Sequence, residues 1–367
     1  MRSHWKACAI LLFTNFSMNK IAEKISIDKL RNCIKRELDD SNEYLSRWLE
    51  VFVNKAKLLP DSRRPWAPRG REYLDFYETF YYVLHWYCQF KSGRFKDMGW
   101  KIDETVAENI REKFLRLNRE ALSNKNKNQF HEYFKNYDFY PLSLYTAIDY
   151  KFQNITGTKV DNILDFGSGI GRQAFQWCSQ GSVNLFSVDA IESLYMLQND
   201  VYSLLFPDKL IEYFYGPERF CDPGFYSMRD KLYHLPTWKL DLLPDRYFDL
   251  IICVQVLQEL NKETLRFLLR QFRRIVKKNG ILYIRDNEFW KPAHKLRVGR
   301  ELLEQGWELI FKYTGHEGAD IAGIPRLWVF TDADNRKSFR HLTRIKRVFF
   351  PSHPFDYSAW RDYGLPI

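Results

Sequence analysis

The short apolar run Asn162–Phe166 ends in three alternating glycines, Gly167, Gly169 and Gly171, and no other stretch limits the fold as strongly. Glycine lets a backbone turn sharply and lie close to a ligand with no Cβ in the way. A strand that enters such a turn and leaves as a helix is the opening unit of a parallel α/β sheet. The chain beyond it fits. Val183–Val188 reads as a second strand, and Phe248–Val254 (FDLIICV), apolar apart from Asp249, is suited to a strand buried on both faces. An amphipathic helix follows, with Asn261 as its cap, Leu265, Leu268, Leu269, Phe272, Ile275 and Val276 as its stripe, Lys277 and Lys278 at its end and Gly280 as its stop. Ile281–Ile284, Glu308–Tyr313 and Arg326–Phe330 read as the remaining strands. Strands alternating with helices in this way predict a doubly wound α/β domain.

The front of the chain has a different grammar. Ile27–Lys55, Tyr73–Phe90 and Thr105–Leu122 place apolar residues three and four apart, the spacing of helices, and the Pro/Arg-rich stretch 60–70 breaks them. At 367 residues the chain exceeds one ordinary domain. The expected division is an extra leader at 1–18 with translation starting at Met18, a helical accessory part at 19–155, the α/β domain at 156–331 and a basic, aromatic tail at 332–367. The apolar run Ala7–Phe13 is too short to span a bilayer and lacks a cleavage pattern. The six cysteines form no CxxC pair and no zinc spacing, so free thiols and a cytoplasmic protein are expected.

The chemistry is expected at the carboxyl ends of the strands. Asp165 heads the glycine turn and Asp189 ends the next strand, where an acid can take both ribose hydroxyls of a nucleoside. A dinucleotide turn would want Gly-x-Gly-x-x-Gly, to seat pyrophosphate on a helix amino terminus. Here the third glycine comes one residue early and an acid precedes the turn. That acid repels pyrophosphate and suits a cationic amino group, such as the methionine end of S-adenosylmethionine. A phosphate-binding Walker loop is excluded because no Gly-Lys-Ser/Thr follows.

With these residues in place, positions 161–330 resemble class I S-adenosylmethionine-dependent methyltransferases through ILDFGSGIG, FSVDA, LLPDRYFDLIICVQVLQEL and LRQFRRIVKKNGILYIRDN. The resemblance implies a Rossmann-like, mostly parallel seven-stranded sheet ending in an antiparallel strand. It implies S-adenosylmethionine as cofactor, with Asp165, Gly167, Ser168, Gly169 and Gly171 around the methionine part and Asp189 at the ribose. It also implies His234–Trp238 near adenine and Gln255 beneath the cofactor. HLPTWKLDLLP, VQVLQELNKETL and ADIAGIPRLWVF are similar to a sugar O-methyltransferase family of bacterial surface-polysaccharide enzymes. A saccharide or other small-molecule acceptor is therefore expected.

Other acceptors fit less well. Val254-Gln255-Val256-Leu257 replaces the Asp/Asn-Pro-Pro-aromatic turn of DNA-adenine enzymes, Cys253 follows Ile252 where a cytosine enzyme needs proline, and the double-glutamate hairpin of protein arginine enzymes is missing. For proton removal from a hydroxyl, His316 and Glu259 are the candidate bases. Asp286-Asn287 is a two-ligand fragment of a magnesium site whose third carboxylate is replaced by Gln255, so no metal is expected. The net charge of +10 is spread out except for Arg336–Arg347, which holds six Lys and Arg. That leaves RNA or protein as an alternative acceptor. A non-catalytic cofactor-binding protein is a further alternative, and pairing of two copies through the helical part is an open option.

Overall fold

The computed structural model describes residues 24–39, 75–88, 103–123, 131–286, 298–312 and 324–330. In chain order it contains α1 (Ile27–Asp39), α2 (Phe76–Cys88), α3 (Glu104–Ser123), α4 (His131–Lys135) and α5 (Tyr140–Gln153). There follow β1 (Asn162–Phe166), α6 (Ala174–Trp177), β2 (Asn184–Asp189), α7 (Glu192–Leu205), β3 (Leu210–Glu212), β4 (Leu232–Pro236) and β5 (Phe248–Val254). The described part closes with α8 (Lys262–Ile275), β6 (Val276–Asp286), α9 (Val298–Glu304), β7 (Trp307–Lys312) and β8 (Ile324–Phe330).

The strands form one sheet of eight in the order β3-β4-β2-β1-β5-β6-β8-β7. All neighbours are parallel except that β8 runs antiparallel to both β6 and β7. The α/β, mostly parallel expectation holds, and the strand count of seven is corrected to eight. Two of the eight, β4 and the three-residue β3, are not among the six strands read from the sequence, and they pair through Leu210–Leu232, Ile211–Tyr233 and Glu212–His234. Three residues are too few to leave a periodic trace in a sequence.

Alternate residues of each central strand feed two cores, as a period of two requires. Ile163, Leu185, Leu250, Ile252 and Tyr283 pack with residues of α2, α3, α5 and α7. Leu164, Phe166, Phe186, Ile251 and Leu282 pack on the other face with residues of α1, α8 and α9. Residues on both sides of the boundary expected near residue 155 thus share the first core. The segments 40–55 and 60–70, the leader and the tail lie outside the described residues.

The helix expected after β5 is α8, and Leu265, Leu268, Leu269, Phe272 and Ile275 are buried along it. Asn261 caps it by accepting from the Thr264 amide at 2.8 Å. Each buried side chain contributes about 1.5–3 kcal/mol against ~1 kcal/mol for the cap, so packing holds this helix. Its end differs from expectation. The helix stops at Ile275 because the carbonyls of Arg274 and Ile275 accept from the amides of Arg246 and Tyr247, and β6 begins at once. Lys277 leaves the helix and pairs with Asp249 at 2.6 Å. Gly280 does not stop a helix. It lets β6 lie against β5, where a Cβ would meet the Phe248 carbonyl oxygen at 2.7 Å.

Candidate active site

β1 delivers Asp165 to the carboxyl edge of the sheet, and the chain then turns through three left-handed glycines at φ 73° (Gly167), 59° (Gly169) and 76° (Gly171). The turn is bolted to β2: the amides of Gly167 and Ser168 donate to the Val188 carbonyl at 2.9 and 3.2 Å. Ser168 Oγ donates to the Asp165 carbonyl at 2.8 Å and accepts from Ser187 Oγ at 2.8 Å. Two of the glycines are required by space as well as by dihedral angle. A Cβ on Gly167 would lie 2.3 Å from Val256 Cγ2, and one on Gly171 would lie 2.5 Å from Tyr202 Oη.

These contacts predict the outcome of Gly167→Ala. Overpacking against Val256 should destabilise the fold by about 1–3 kcal/mol, with left-handed strain of ~1–2 kcal/mol in addition. Chemical denaturation should then show partial recovery in Gly167→Ala/Val256→Ala, since only the steric part is relieved. Recovery to wild-type stability would contradict the strain assigned to this turn.

Asp165 is 2% exposed, and among the described residues its Oδ2 has no hydrogen-bond partner. Burial pushes its carboxyl up to about 7, while the nearby Arg172 guanidinium and Ser168 oppose the shift. A buried carboxylate oxygen left open beside a glycine turn is an incomplete arrangement that a cationic donor would complete. Asp189 is more occupied. Its Oδ2 accepts from the Gly169 amide and from Gln198 Nε2, both at 3.0 Å, and its Oδ1 accepts from the Ile191 amide at 3.0 Å. Burial raises its pKa, and those amides pull it back. The two acids are close enough for Asp189 to raise the Asp165 carboxyl further. Both sit at the carboxyl ends of the neighbouring strands β1 and β2.

The remaining expected residues fall in several places. Gln255 follows β5 with φ 61°, a left-handed angle uncommon for a side-chain-bearing residue. Its amide donates to the Arg285 carbonyl at 2.8 Å and its Oε1 accepts from Gln258 at 2.7 Å. Trp238 lies in the short helical turn after β4 and is buried in the core. His234 is fully buried on β4. Glu259 ends a short helical turn, Leu257–Glu259, but its side chain lies outside the described residues, as do all of His316 and Asn287. Asp286 is buried in an ion pair with Arg326.

Sequence reasoning missed the group that underlies the turn. Asp149 of α5 accepts from Arg172 Nη2 at 2.6 Å and, through both oxygens, from Arg285 Nε at 2.6 Å and Nη2 at 2.9 Å. Tyr283 also donates to Asp149, and Arg285 donates to Tyr145. Burial lowers the Arg285 pKa to about 9. Tyr87 of α2 stands above, its Oη 3.0 Å from where a Gly169 Cβ would sit. These contacts join residues from distant parts of the chain, and no local pattern announces them. Among the described residues no group of three or more His, Cys, Asp or Glu could hold a metal ion, and no helix is long and apolar enough to cross a membrane.

Comparison with known proteins adds the following. A family model described as a methyltransferase domain matches residues 104–317, so the match begins at the start of α3, well ahead of β1. Among solved structures, the chain is similar to an S-adenosylmethionine-dependent methyltransferase from Aquifex aeolicus, at 15% identity, TM-score 0.37, and coverage of 50% of this chain and 89% of that one. It is also similar to the 1,6-didemethyltoxoflavin-N1-methyltransferase of Burkholderia thailandensis, at 12% identity, TM-score 0.37, and coverage of 64% and 92%. A third is the N-methyltransferase NodS of Bradyrhizobium japonicum, at 12% identity, TM-score 0.36, and coverage of 61% and 100%. No curated protein matches the sequence.

Proposed function

The chain belongs to the methyltransferase-domain family that matches it over more than half its length, and from that premise we propose that it methylates a hydroxyl of a saccharide or a comparable small molecule in the cytoplasm. S-adenosylmethionine is the cofactor, and it supplies a methyl group already activated on a sulfonium. The observation that carries the cofactor's placement is the open Oδ2 of buried Asp165 beside the three left-handed glycines. That oxygen suits the amino group of the methionine part, while Ser168 and the glycines surround it. Asp189 is assigned to the ribose, and Gln255 and the Trp238 region to the rest of the nucleoside.

With the methyl group activated in advance, the protein's task is to align donor and acceptor and to exclude water. The two buried cores and the packed underside of the turn suit that task. His316 is assigned as the base that takes the hydroxyl proton, with Glu259 second, a contribution of about 10²–10⁴-fold. The preference for a sugar hydroxyl rests on the resemblance of HLPTWKLDLLP and ADIAGIPRLWVF to the sugar enzymes. The test is incubation with methyl-labelled S-adenosylmethionine and extracts containing sugar nucleotides and glycans. Label is expected in a saccharide ether, and His316→Ala should lower turnover while S-adenosylhomocysteine affinity stays unchanged. Label appearing only in RNA or protein would overturn the acceptor class.

A further inference from the structure

Behind Asp189 lies a continuous line of buried polar groups that runs from the glycine turn back to β3. Gln198 Nε2 donates to the Gly169 carbonyl at 2.7 Å and to Asp189 Oδ2 at 3.0 Å. A carbonyl can only accept, so the amide nitrogen must face the turn and Oε1 must face away. Oε1 meets His234 Nε2 at 3.1 Å and Ser187 Oγ at 3.3 Å. His234 Nε2 therefore carries a proton and donates it. The other ring nitrogen, Nδ1, lies 2.6 Å from Glu212 Oε2.

Glu212 is held in turn by Tyr195 Oη at 2.5 Å, Asn199 Nδ2 at 2.9 Å and the Phe214 amide at 3.3 Å. The imidazole stacks on Tyr195 at 3.9 Å and meets Tyr202 edge-on. Every member of the line is buried.

We infer that His234 and Gln198 are positioning residues for the cofactor's ribose, acting through Asp189. A flipped Gln198 amide would set its oxygen against the Gly169 carbonyl and the Asp189 carboxylate. His234 Nε2 holds Gln198 Oε1 from the opposite side, at 3.1 Å, and so anchors the amide in the orientation that the Gly169 carbonyl selects. Glu212, on the short strand β3, fixes the imidazole. That short strand thereby supports the site from behind. This inference rests on the assignment of Asp189 to the ribose.

The experiment measures, by calorimetry on the full chain, the affinities of S-adenosylhomocysteine and its 2′,3′-dideoxy analogue. His234→Phe keeps the stacked ring and removes the donor. It should weaken S-adenosylhomocysteine about 5- to 10-fold, the effect of roughly one hydrogen bond, and leave the 2′,3′-dideoxy analogue within about twofold. His234→Gln, which can present an amide donor, should recover part of the loss. Gln198→Met tests the same link if His234→Phe fails to fold. Equal weakening of both ligands, or none, overturns the inference. Wild-type protein binding both ligands equally would instead remove the ribose assignment, and that result is read before any variant is made.

Discussion

Asp165→Asn is expected to bind S-adenosylhomocysteine about 10- to 100-fold more weakly at pH 8 while melting at a higher temperature than wild type in the absence of ligand. The first effect is the loss of a hydrogen bond between charged groups, ~1.5–3 kcal/mol. The second follows from linkage. The carboxyl is raised in the folded protein to about 7 from its ordinary 3.8. Its favourable contribution is complete below the unfolded value and is lost as pH rises toward 7, where a buried charge must be carried. Asparagine carries none. Binding of a cationic amino group favours the ionised carboxylate, so wild-type affinity should fall as pH drops below about 7, by at most about tenfold per unit, and be flat above. The variant should lack that slope. Calorimetry from pH 5.5 to 8.5 checks both statements, and an unchanged slope in Asp165→Asn would remove Asp165 as the partner of the amino group.

The second large effect belongs to Asp149. This carboxylate, 0% exposed, is shared by two guanidiniums, those of Arg172 and Arg285. Removing it in Asp149→Ala leaves both cations buried without their acceptor, at a cost of about 3–5 kcal/mol. Arg285→Met leaves one cation on one carboxylate and should cost clearly less, since the burial that lowers the Arg285 pKa is itself unfavourable. Urea denaturation of the two variants decides the point. Equal losses would mean that the cluster is held by packing around Tyr145 and Tyr283 and not by charge.

Parts of this site could be read before any coordinates. β1 and β5 were legible to the residue because Ile163-Leu164 and Leu250–Val254 are the apolar stretches that a strand buried on both faces needs, and Asp165 with its glycines was legible because the turn needs those residue types in a row. The end of α8 was not. Its carbonyls are satisfied by the amides of Arg246 and Tyr247 from the preceding loop, a long-range contact that made Gly280 look like a helix stop. Asp149, Gln198, Arg285 and Tyr87 were illegible for the same reason. Each is a polar residue on an ordinary element, and its meaning comes from partners far away in the chain. Gln198 looked like any helical glutamine until His234 and Gly169 were set on either side of it.

The core shared by α2, α3, α5, α7 and the sheet has a consequence for how such a protein can diversify. A fragment cut at residue 156 would leave Ile163, Leu185, Ile252 and Tyr283 facing water, and Arg172 and Arg285 would lose the acid that α5 supplies. The front half therefore cannot be traded like a cartridge for that of another enzyme. A new acceptor has to be accommodated by small changes around an interior that stays whole.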